Sequence, residues 1–577
     1  MEDLKQFIDV LKNNNQEEIK RFVNKPQNGN SLSFVNYLCY IQDIDALKMI
    51  TKYIDFYERN NRFTDGLNQI IISTGVSLKM LNKNNHMEIL NNALNNFQKT
   101  ITQEEINLFD TIVNDDVDKF EEIINNNHEL INTKYFSKTL LMMASILKSP
   151  NISKKLVELG VNVNIQDNNG ATALFYASEF GCIEIVKELL KHKDIQVNIQ
   201  IFNGATPLMI AAQHGYTEIV NALLEKGAEI NLKAKDNTTA LAAASCWGNI
   251  EIVKILLKNG AEIDVQYNNG FTALMVAAQN GHINVINALL ERNANVNEQH
   301  NDGWTALMFA AQNGHINVIN ALLERNANVN EQNNDGWTAL MVAAQNGHIE
   351  IVKILLNKGA NINQGNKNNA TALLMAVQKG HIEVIKELLE HKDIKVNIQK
   401  NDGRTALMFA AQKGYVDIVN TLLANGADIN TKDNCGRTAL MIAACNGYVD
   451  VVNTLLTNSA NVNAQDNNGH TALMFAAYNG HIEIVKELLK CDNIQINLQN
   501  NNGFTALMVA VYRGHTEIVK ELLKQENIDL GLKNKDNKTA FDIAKIYRYN
   551  DITNLIQDEQ TLRASKSIIA ALLSLKR

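Results

Sequence analysis

The sequence of 577 residues is poor in the residue types that interrupt or cross-link a chain. It contains only three prolines and six cysteines. No two cysteines stand in CxxC spacing, so the pattern predicts neither a disulfide framework nor a zinc ribbon, and it favours a reducing compartment. The cysteines are Cys39, Cys182, Cys246, Cys435, Cys445 and Cys491.

An excess of basic residues and long apolar runs are also lacking. The formal net charge of −8 does not provide the cationic surplus on which phosphate recognition relies, so we expect no nucleic acid as main partner. No run approaches the roughly 18 apolar residues that a spanning helix needs. The N-terminal MEDLKQF has no apolar core of a signal peptide. We therefore expect an intracellular, cytoplasmic protein without membrane insertion.

Motifs of catalysis are missing as well. The sequence has no GxxxxGK[ST], no GxGxxG after a strand, no HExxH and no GxSxG. Gly-His pairs recur, but other units carry Tyr, Asn or Cys instead of His, a freedom that metal ligands do not have. We predict no catalytic residue, no metal site and no cofactor. The recurrent histidines are His282, His315, His348, His381, His481 and His515.

What the chain does have is repetition. The stretch from Ala277 to Gln299 recurs letter for letter from Ala310 to Gln332. The tripeptide Thr-Ala-Leu, or a close variant, returns every 33 or 34 residues. Thr139 continues this register upstream and Ile106 begins a worn copy, which makes about fourteen units. The threonines of the main series are Thr172, Thr206, Thr239, Thr272, Thr305, Thr338, Thr371, Thr405, Thr438, Thr471, Thr505 and Thr539.

Each unit predicts a tight turn, a short helix, a second helix and a loop. In one unit Gly303 supplies the positive φ of the turn, Thr305 caps the first helix and Gly314 ends it. Apolar residues follow at helical spacing. One unit cannot cover its own apolar stripe, so neighbours must stack. The residues expected inside are Leu307, Ala310, Ala311, Val318, Ile319, Leu322 and Leu323.

These units resemble ankyrin repeats. The match is GxTALMxAAQNGHxxVxxLLxxxANVN against the family pattern GxTPLHxAAxxGHxxVVxLLLxxGADVN, and it covers roughly residues 104–560. The resemblance implies an all-α, curved solenoid with hairpin loops along one edge and a concave groove that binds proteins. The family's His after Thr-Pro-Leu is Met in most units here, so we expect apolar packing in its place.

The register also predicts the domain organisation. Residues 171–560 are consensus-like repeats and residues 104–170 are degenerate ones. Residues 1–103 form a helical region, either further decayed repeats or a separate helical adaptor. Residues 561–577 form a short amphipathic helix or tail that docks on the last layer or on a partner.

Two series of residues face the groove by resemblance, one just before each cap threonine and one just before the glycine between the two helices. Trp and Arg are among the residues most enriched in binding hot spots. An aromatic block here leads into a basic block, and we predict a partner with an apolar anchor followed by acidic residues. The candidate groove residues are Trp247, Phe271, Trp304, Trp337, Lys379, Arg404, Lys413, Arg437, His470 and Phe504.

The sequence thus predicts a non-catalytic scaffold or adaptor that binds partner proteins through its groove. In one alternative the aromatic residues only stack on neighbouring loops and the basic run is a solvated face, as in a structural or elastic spacer. In another, residues 1–103 make the chain an enzyme or the regulatory subunit of one.

Overall fold

The computed structural model describes residues 103–135 and 137–575. The chain divides into two compact units, the first ending at Asn268 and the second beginning at Asn269. The predicted helical region at residues 1–103 lies outside the described residues, apart from Gln103.

Helix pairs in tandem make up the described part of each unit, and the described residues form no β-strand. There are fourteen pairs in the described chain, so the predicted all-α, solenoid-like arrangement is confirmed. The worn unit predicted at Ile106 is the first pair. The first unit contains α1 (Gln103–Asn114), α2 (Val117–Asn126), α3 (Leu140–Leu147), α4 (Pro150–Glu158), α5 (Ala173–Glu179), α6 (Ile183–Lys191), α7 (Pro207–His214), α8 (Thr217–Glu225), α9 (Ala240–Cys246) and α10 (Ile250–Lys258). The second contains α11 (Ala273–Asn280), α12 (Ile283–Glu291), α13 (Ala306–Asn313), α14 (Ile316–Glu324), α15 (Ala339–Asn346), α16 (Ile349–Asn357), α17 (Ala372–Lys379), α18 (Ile382–Glu390), α19 (Ala406–Lys413), α20 (Val416–Ala424), α21 (Ala439–Asn446), α22 (Val449–Thr457), α23 (Ala472–Asn479), α24 (Ile482–Leu489), α25 (Ala506–Arg513), α26 (Thr516–Leu523), α27 (Ala540–Ile546) and α28 (Asn550–Leu575).

From α3 onward, the odd-numbered first helices begin where the cap threonines predict. In α13 the Oγ1 of Thr305 accepts the backbone N–H of Met308 at 3.3 Å, and Gly314 ends the helix at φ 79°. The same N-cap bond is present at Thr139 and at every threonine of the main series. The predicted caps are therefore confirmed, and each satisfies a backbone N–H that a helix start leaves open.

The loop between repeats is a tight turn that we call the finger. The N–H of Gly303 donates to the carbonyl of His300 at 2.7 Å, and the N–H of His300 donates to the carbonyl of Trp304 at 3.0 Å. Gly303 takes φ 80°, as predicted. The N–H of Asn301 donates to the carbonyl of Asn269 in the preceding finger at 2.8 Å. Neighbouring fingers are thus joined by backbone bonds without forming strands.

The core lies between the first and second helices of consecutive repeats. Helix α13 packs on α15, and α14 packs on α16. The side chains predicted inside this repeat are all buried, with Ala310, Ala311 and Ile319 at 0% exposure. Met308, at 1% exposure, confirms apolar packing at the family's histidine position. Burial is therefore shared between repeats, as stacking requires.

The last helix is longer than the others. Helix α28 has 26 residues, whereas the other second helices have eight to ten. The predicted boundary between residues 560 and 561 lies inside this helix, so residues 561–575 continue the last repeat. The guanidinium of Arg563 donates to the carbonyls of Ile528 at 2.6 Å and Gln525 at 2.9 Å, and pairs with Glu559 at 2.7 Å. This part of the predicted tail docks on the preceding repeat.

Candidate functional site

In several repeats the finger-base residue, which we define as the residue before the cap threonine, donates its backbone N–H to the side chain of the finger's first residue. The N–H of Trp304 donates to Nδ1 of His300 at 3.2 Å, and the N–H of Trp337 donates to Oδ1 of Asn333 at 2.8 Å. Arg437, His470 and Phe504 follow the same pattern. These backbones are fixed by side-chain hydrogen bonds. The finger-base side chains of the second unit that were predicted to face the groove are all partly exposed, namely Phe271, Trp304, Trp337, Arg404, Arg437, His470 and Phe504.

Phe309, on helix α13, is the centre of an aromatic cluster. Its ring lies 5.1 Å from that of Phe271 and 5.3 Å from that of Trp304, at tilts of 31° and 33°. The His300 ring meets both Phe271 and Phe309 edge-on, at 5.1 and 5.5 Å. Phe309 is only 5% exposed. The partly exposed rings of Phe271 and Trp304 therefore rest on a buried aromatic floor.

The predicted aromatic residues have different surroundings. Phe271 and Trp304 share the floor of Phe309, but in the next repeat the smaller Val342 stands below Trp337 in sequence register. Trp247 belongs to the first unit, where it caps the end of α9 with its side chain 62% exposed. The structure thus assigns the indoles to three different surroundings.

The two predicted arginines are already paired with carboxylates. Arg404 donates to Oδ2 of Asp402 through Nε at 2.9 Å and Nη2 at 2.7 Å, and lies over the Phe409 ring at 4.5 Å. Arg437 pairs with Oδ2 of Asp433 at 2.9 and 2.8 Å. Partial burial alone would raise the pKa of Asp402, but the Arg404 hydrogen bonds outweigh it and hold this pKa below its ordinary value. Neither arginine presents an uncompensated charge.

The remaining predicted residues have different environments. Lys379 and Lys413, at the ends of α17 and α19, are exposed, and in the described chain neither forms an ion pair. His470 lies 3.3 Å from Oδ2 of Asp466 and its ring lies 5.6 Å from Phe475. The two lysines are the cations of the predicted basic block that face solvent.

The recurrent histidines connect repeats. His315 Nε2 lies 3.0 Å from the carbonyl oxygen of Gln279 in the preceding repeat. The same contact to the preceding repeat occurs at His348, His381, His481 and His515. In the first unit Asn249 takes the place of the histidine and donates to two carbonyls, at 2.8 and 2.9 Å. The structural role inferred for this position is therefore what the geometry shows.

Sequence reasoning missed a second exposed aromatic surface. Tyr478, Tyr512 and Tyr547 are 45%, 41% and 46% exposed. The signal was available, because Tyr478 and Tyr512 stand where six earlier repeats have glutamine. The paired Asp402 and Asp433 were missed as well, although their spacings of two and four residues from the arginines permit contact.

Sites for metals or membranes are not found in the described part of the chain. Within it, no three His, Cys, Asp or Glu side chains are grouped so as to hold a metal ion. No described helix is both long and apolar enough to cross a membrane. The five described cysteines form no disulfide with one another, and Cys39 lies outside the described residues.

Comparison with known proteins agrees with this geometry. Models described as "Ankyrin repeats (3 copies)" match overlapping segments that run from residue 108 to 500, and one described as "Ankyrin repeats (many copies)" matches residues 488–544. No curated protein matches the chain. Ankyrin repeats are generally modules of protein–protein interaction and are typically non-catalytic. The matches cover well over half of the sequence, and the chain belongs to the ankyrin-repeat family.

Proposed function

We propose that the chain is a non-catalytic scaffold or adaptor that binds a partner protein through the first-helix face of its second unit. The observation that supports this proposal most directly concerns Trp304 and Trp337, which occupy the same position in two consecutive repeats. Both are partly exposed, and the backbone N–H of each is hydrogen-bonded to a side chain of its finger. Tryptophan is enriched in hot spots. A ring that is already positioned loses little entropy on binding.

Charge supports a partner with acidic residues after its apolar anchor. The first helices α11 to α25 contain no Asp or Glu. Most glutamates of these repeats lie on the second helices, where Lys353 pairs with Glu350 at 3.1 Å and Lys386 with Glu383 at 3.0 Å. Lys379 and Lys413 therefore stand on a face whose first helices carry no carboxylate. Because the two arginines are already paired, these lysines are the candidates for binding acidic residues of the partner.

An intracellular, reducing location fits this proposal. The described cysteines form no disulfide with one another, and Cys435 is exposed at a finger. A free exposed thiol is compatible with a compartment that keeps thiols reduced. Blotting of fractionated cells tests the location, and recovery of the chain only outside cells would contradict it.

The variant Trp304→Ala/Trp337→Ala tests the function directly. Alanine is the natural finger-base residue at Ala171, Ala205 and Ala370, so the substitution is compatible with the fold. The full chain and this variant are used to capture partners, and the control is Phe202→Ala, which removes a ring that is 65% exposed on a finger of the first unit. We expect the double variant to lose partners that the control retains, with helicity unchanged.

A rigid spacer is the second candidate, because Trp304 stacks on Phe309. In that case the rings stabilise the repeats and bind nothing. The double variant would then melt well below the control while every partner remained bound. That result would reject the scaffold and favour the spacer.

A further inference from the structure

The last repeats carry an aromatic surface that we call the tyrosine patch, composed of Tyr478, Tyr512, Arg513 and Tyr547. The rings of Tyr512 and Tyr547 meet edge-on at 5.2 Å, and the Arg513 guanidinium lies 4.4 Å from the centre of the Tyr478 ring. Arg513 Nε also donates to the carbonyl of Tyr478 at 3.3 Å. These contacts connect three consecutive first helices, α23, α25 and α27.

The needs of the fold do not explain these three large exposed rings, of which Tyr512 and Tyr547 touch each other and Tyr478 touches Arg513. The equivalent position of Tyr478 and Tyr512 is glutamine in six repeats that have the same helix boundaries, namely at Gln213, Gln279, Gln312, Gln345, Gln378 and Gln412. The position of Arg513 is asparagine at Asn280, Asn313, Asn346, Asn446 and Asn479. Since the repeat folds with polar residues there, the tyrosines add a surface and not a core. Tyr is one of the residues most enriched in binding hot spots.

The charge around the patch is positive. Helices α23 and α25 have no acidic residue, and the one carboxylate of α27, Asp542, accepts the N–H and hydroxyl of its cap Thr539, both at 2.9 Å. Lys545 stands on α27 two residues before Tyr547. Nearby glutamates lie on second helices, where Glu483 and Glu517 pair with lysines at 2.7 Å. Arginine stacked on an aromatic ring keeps donors for a carboxylate.

We infer that the tyrosine patch binds an extended acidic segment of a partner polypeptide, with an apolar side chain against the rings of Tyr512 and Tyr547 and a carboxylate on Arg513. The inference rests on the proposed protein-binding function but places it on repeats other than those of Trp304 and Trp337. The rings are held by one another and by Arg513, so the surface is preorganised. Carboxylates gain from the local positive charge, which the overall net charge of the chain conceals.

The test is a selection of random short peptides on the full chain. Three proteins are compared, the wild type, Tyr478→Gln/Tyr512→Gln/Arg513→Asn, and Trp304→Ala/Trp337→Ala. The triple variant restores residues that other repeats carry naturally, so it is designed to fold, which circular dichroism checks. We expect the selected peptides to be rich in Asp and Glu around an apolar residue. They should lose about tenfold or more in affinity for the triple variant and bind the tryptophan variant as tightly as the wild type.

Other results separate the two proposals. Peptides that weaken only on the tryptophan variant would overturn the patch and leave the proposed function standing. Peptides indifferent to both variants would overturn both. Selected peptides that are basic would overturn the patch. Tight binding of a single-stranded oligonucleotide that disappears in the triple variant, with no peptide selected there, would overturn it in favour of nucleic acid.

Discussion

The imidazole of His315 covers Gly281 of the preceding repeat. A Cβ built on Gly281 would lie 2.7 Å from the ring, and Gly281 also takes φ 76°. The same relation holds between His348 and Gly314. The recurrent Gly-His pair is thus part of the interface between repeats. The histidine ring occupies the space that a side chain would need at the glycine of the preceding repeat.

Replacing Gly281 by alanine should destabilise the protein more than replacing Gly359. Both glycines are left-handed, at φ 76° and 84°, but a Cβ on Gly359 meets nothing within 4 Å. Gly359→Ala should therefore lower the free energy of unfolding by about 1 kcal/mol, through backbone strain alone. Gly281→Ala should lose a further amount of about 1 kcal/mol or more through overpacking. Urea denaturation of the two variants measures the difference.

The double variant Gly281→Ala/His315→Ala should lose less stability than the sum of its single variants, because removing the ring also removes the clash. The His315→Ala variant alone should lose about 1 kcal/mol with its hydrogen bond. Additive losses in this cycle would show that the ring and the glycine do not interact.

Arg563 should control the stability of the last repeats. Its guanidinium donates to carbonyls at the end of α26 and in the loop that follows, so Arg563→Ala leaves them to water. We expect faster amide hydrogen exchange in residues 516–528 and a local loss of about 2 kcal/mol, the range of hydrogen bonds to charged groups. Arg563→Lys keeps the charge but not the forked donors, and should recover only part of the loss. Unchanged exchange in Arg563→Ala would contradict the docking of α28.

The fold was predictable because its signals are local and repeated. The cap threonine at Thr305, the turn at Gly303 and the helical spacing of Ile319 each fix a feature through backbone chemistry that is independent of distant residues. The end of the last helix has no such repeated signal. Helix α28 continues past residue 560, and its sequence contains no glycine or proline.

The candidate site was less predictable, because it depends on which side chains meet. The pairing of Arg404 with Asp402 depends on the side-chain rotamers of both residues. The residue types found at one repeat position do not reveal these rotamers. Likewise, Trp304 has an aromatic floor only because Phe309 stands five residues later, where the next repeat has Val342. Sequence could find the positions but not their partners, so the groove assignment stays a prediction.

Asp167 should make the first unit sensitive to acid. Burial alone would raise its pKa, but hydrogen bonds from Tyr176 at 2.6 Å and from the N–H groups of Ala171 and Asn169, together with Lys138, hold this pKa below its ordinary value. A lowered pKa in the folded state contributes stability that is present above the unfolded value, about 3.9, and is lost as pH falls through the folded value.

The variant Asp167→Asn should therefore be less stable than the wild type at pH 7, and this difference should shrink below about pH 4. Asparagine at this position would keep a side-chain oxygen that accepts the backbone N–H groups, as the Oδ1 of Asn333 does in another finger. Asp335→Asn, at an exposed finger, serves as the control and should follow the wild type. Thermal denaturation at several pH values measures the effect. If the stability difference between Asp167→Asn and the wild type were the same at every pH, the ionisation of Asp167 would not be its cause.

Asp433 should mask the charge of Arg437 from any acidic partner. Asparagine at position 433 would still accept the two N–H groups that Oδ1 now accepts from Cys435 and Arg437, so the finger should persist. The guanidinium would lose its carboxylate and become available. We expect Asp433→Asn to bind an acidic partner several-fold more tightly at low salt, an advantage that screening removes at high salt.

The matched variant is Arg437→Ala in both backgrounds. With Asp433 present, removing Arg437 should change partner affinity little, because its charge is already compensated. In the Asp433→Asn background the same change should abolish the gain. A double-mutant cycle of affinities measures this dependence. If Arg437→Ala had equal effects in the two backgrounds, the ion pair with Asp433 would not control the affinity of Arg437 for an acidic partner.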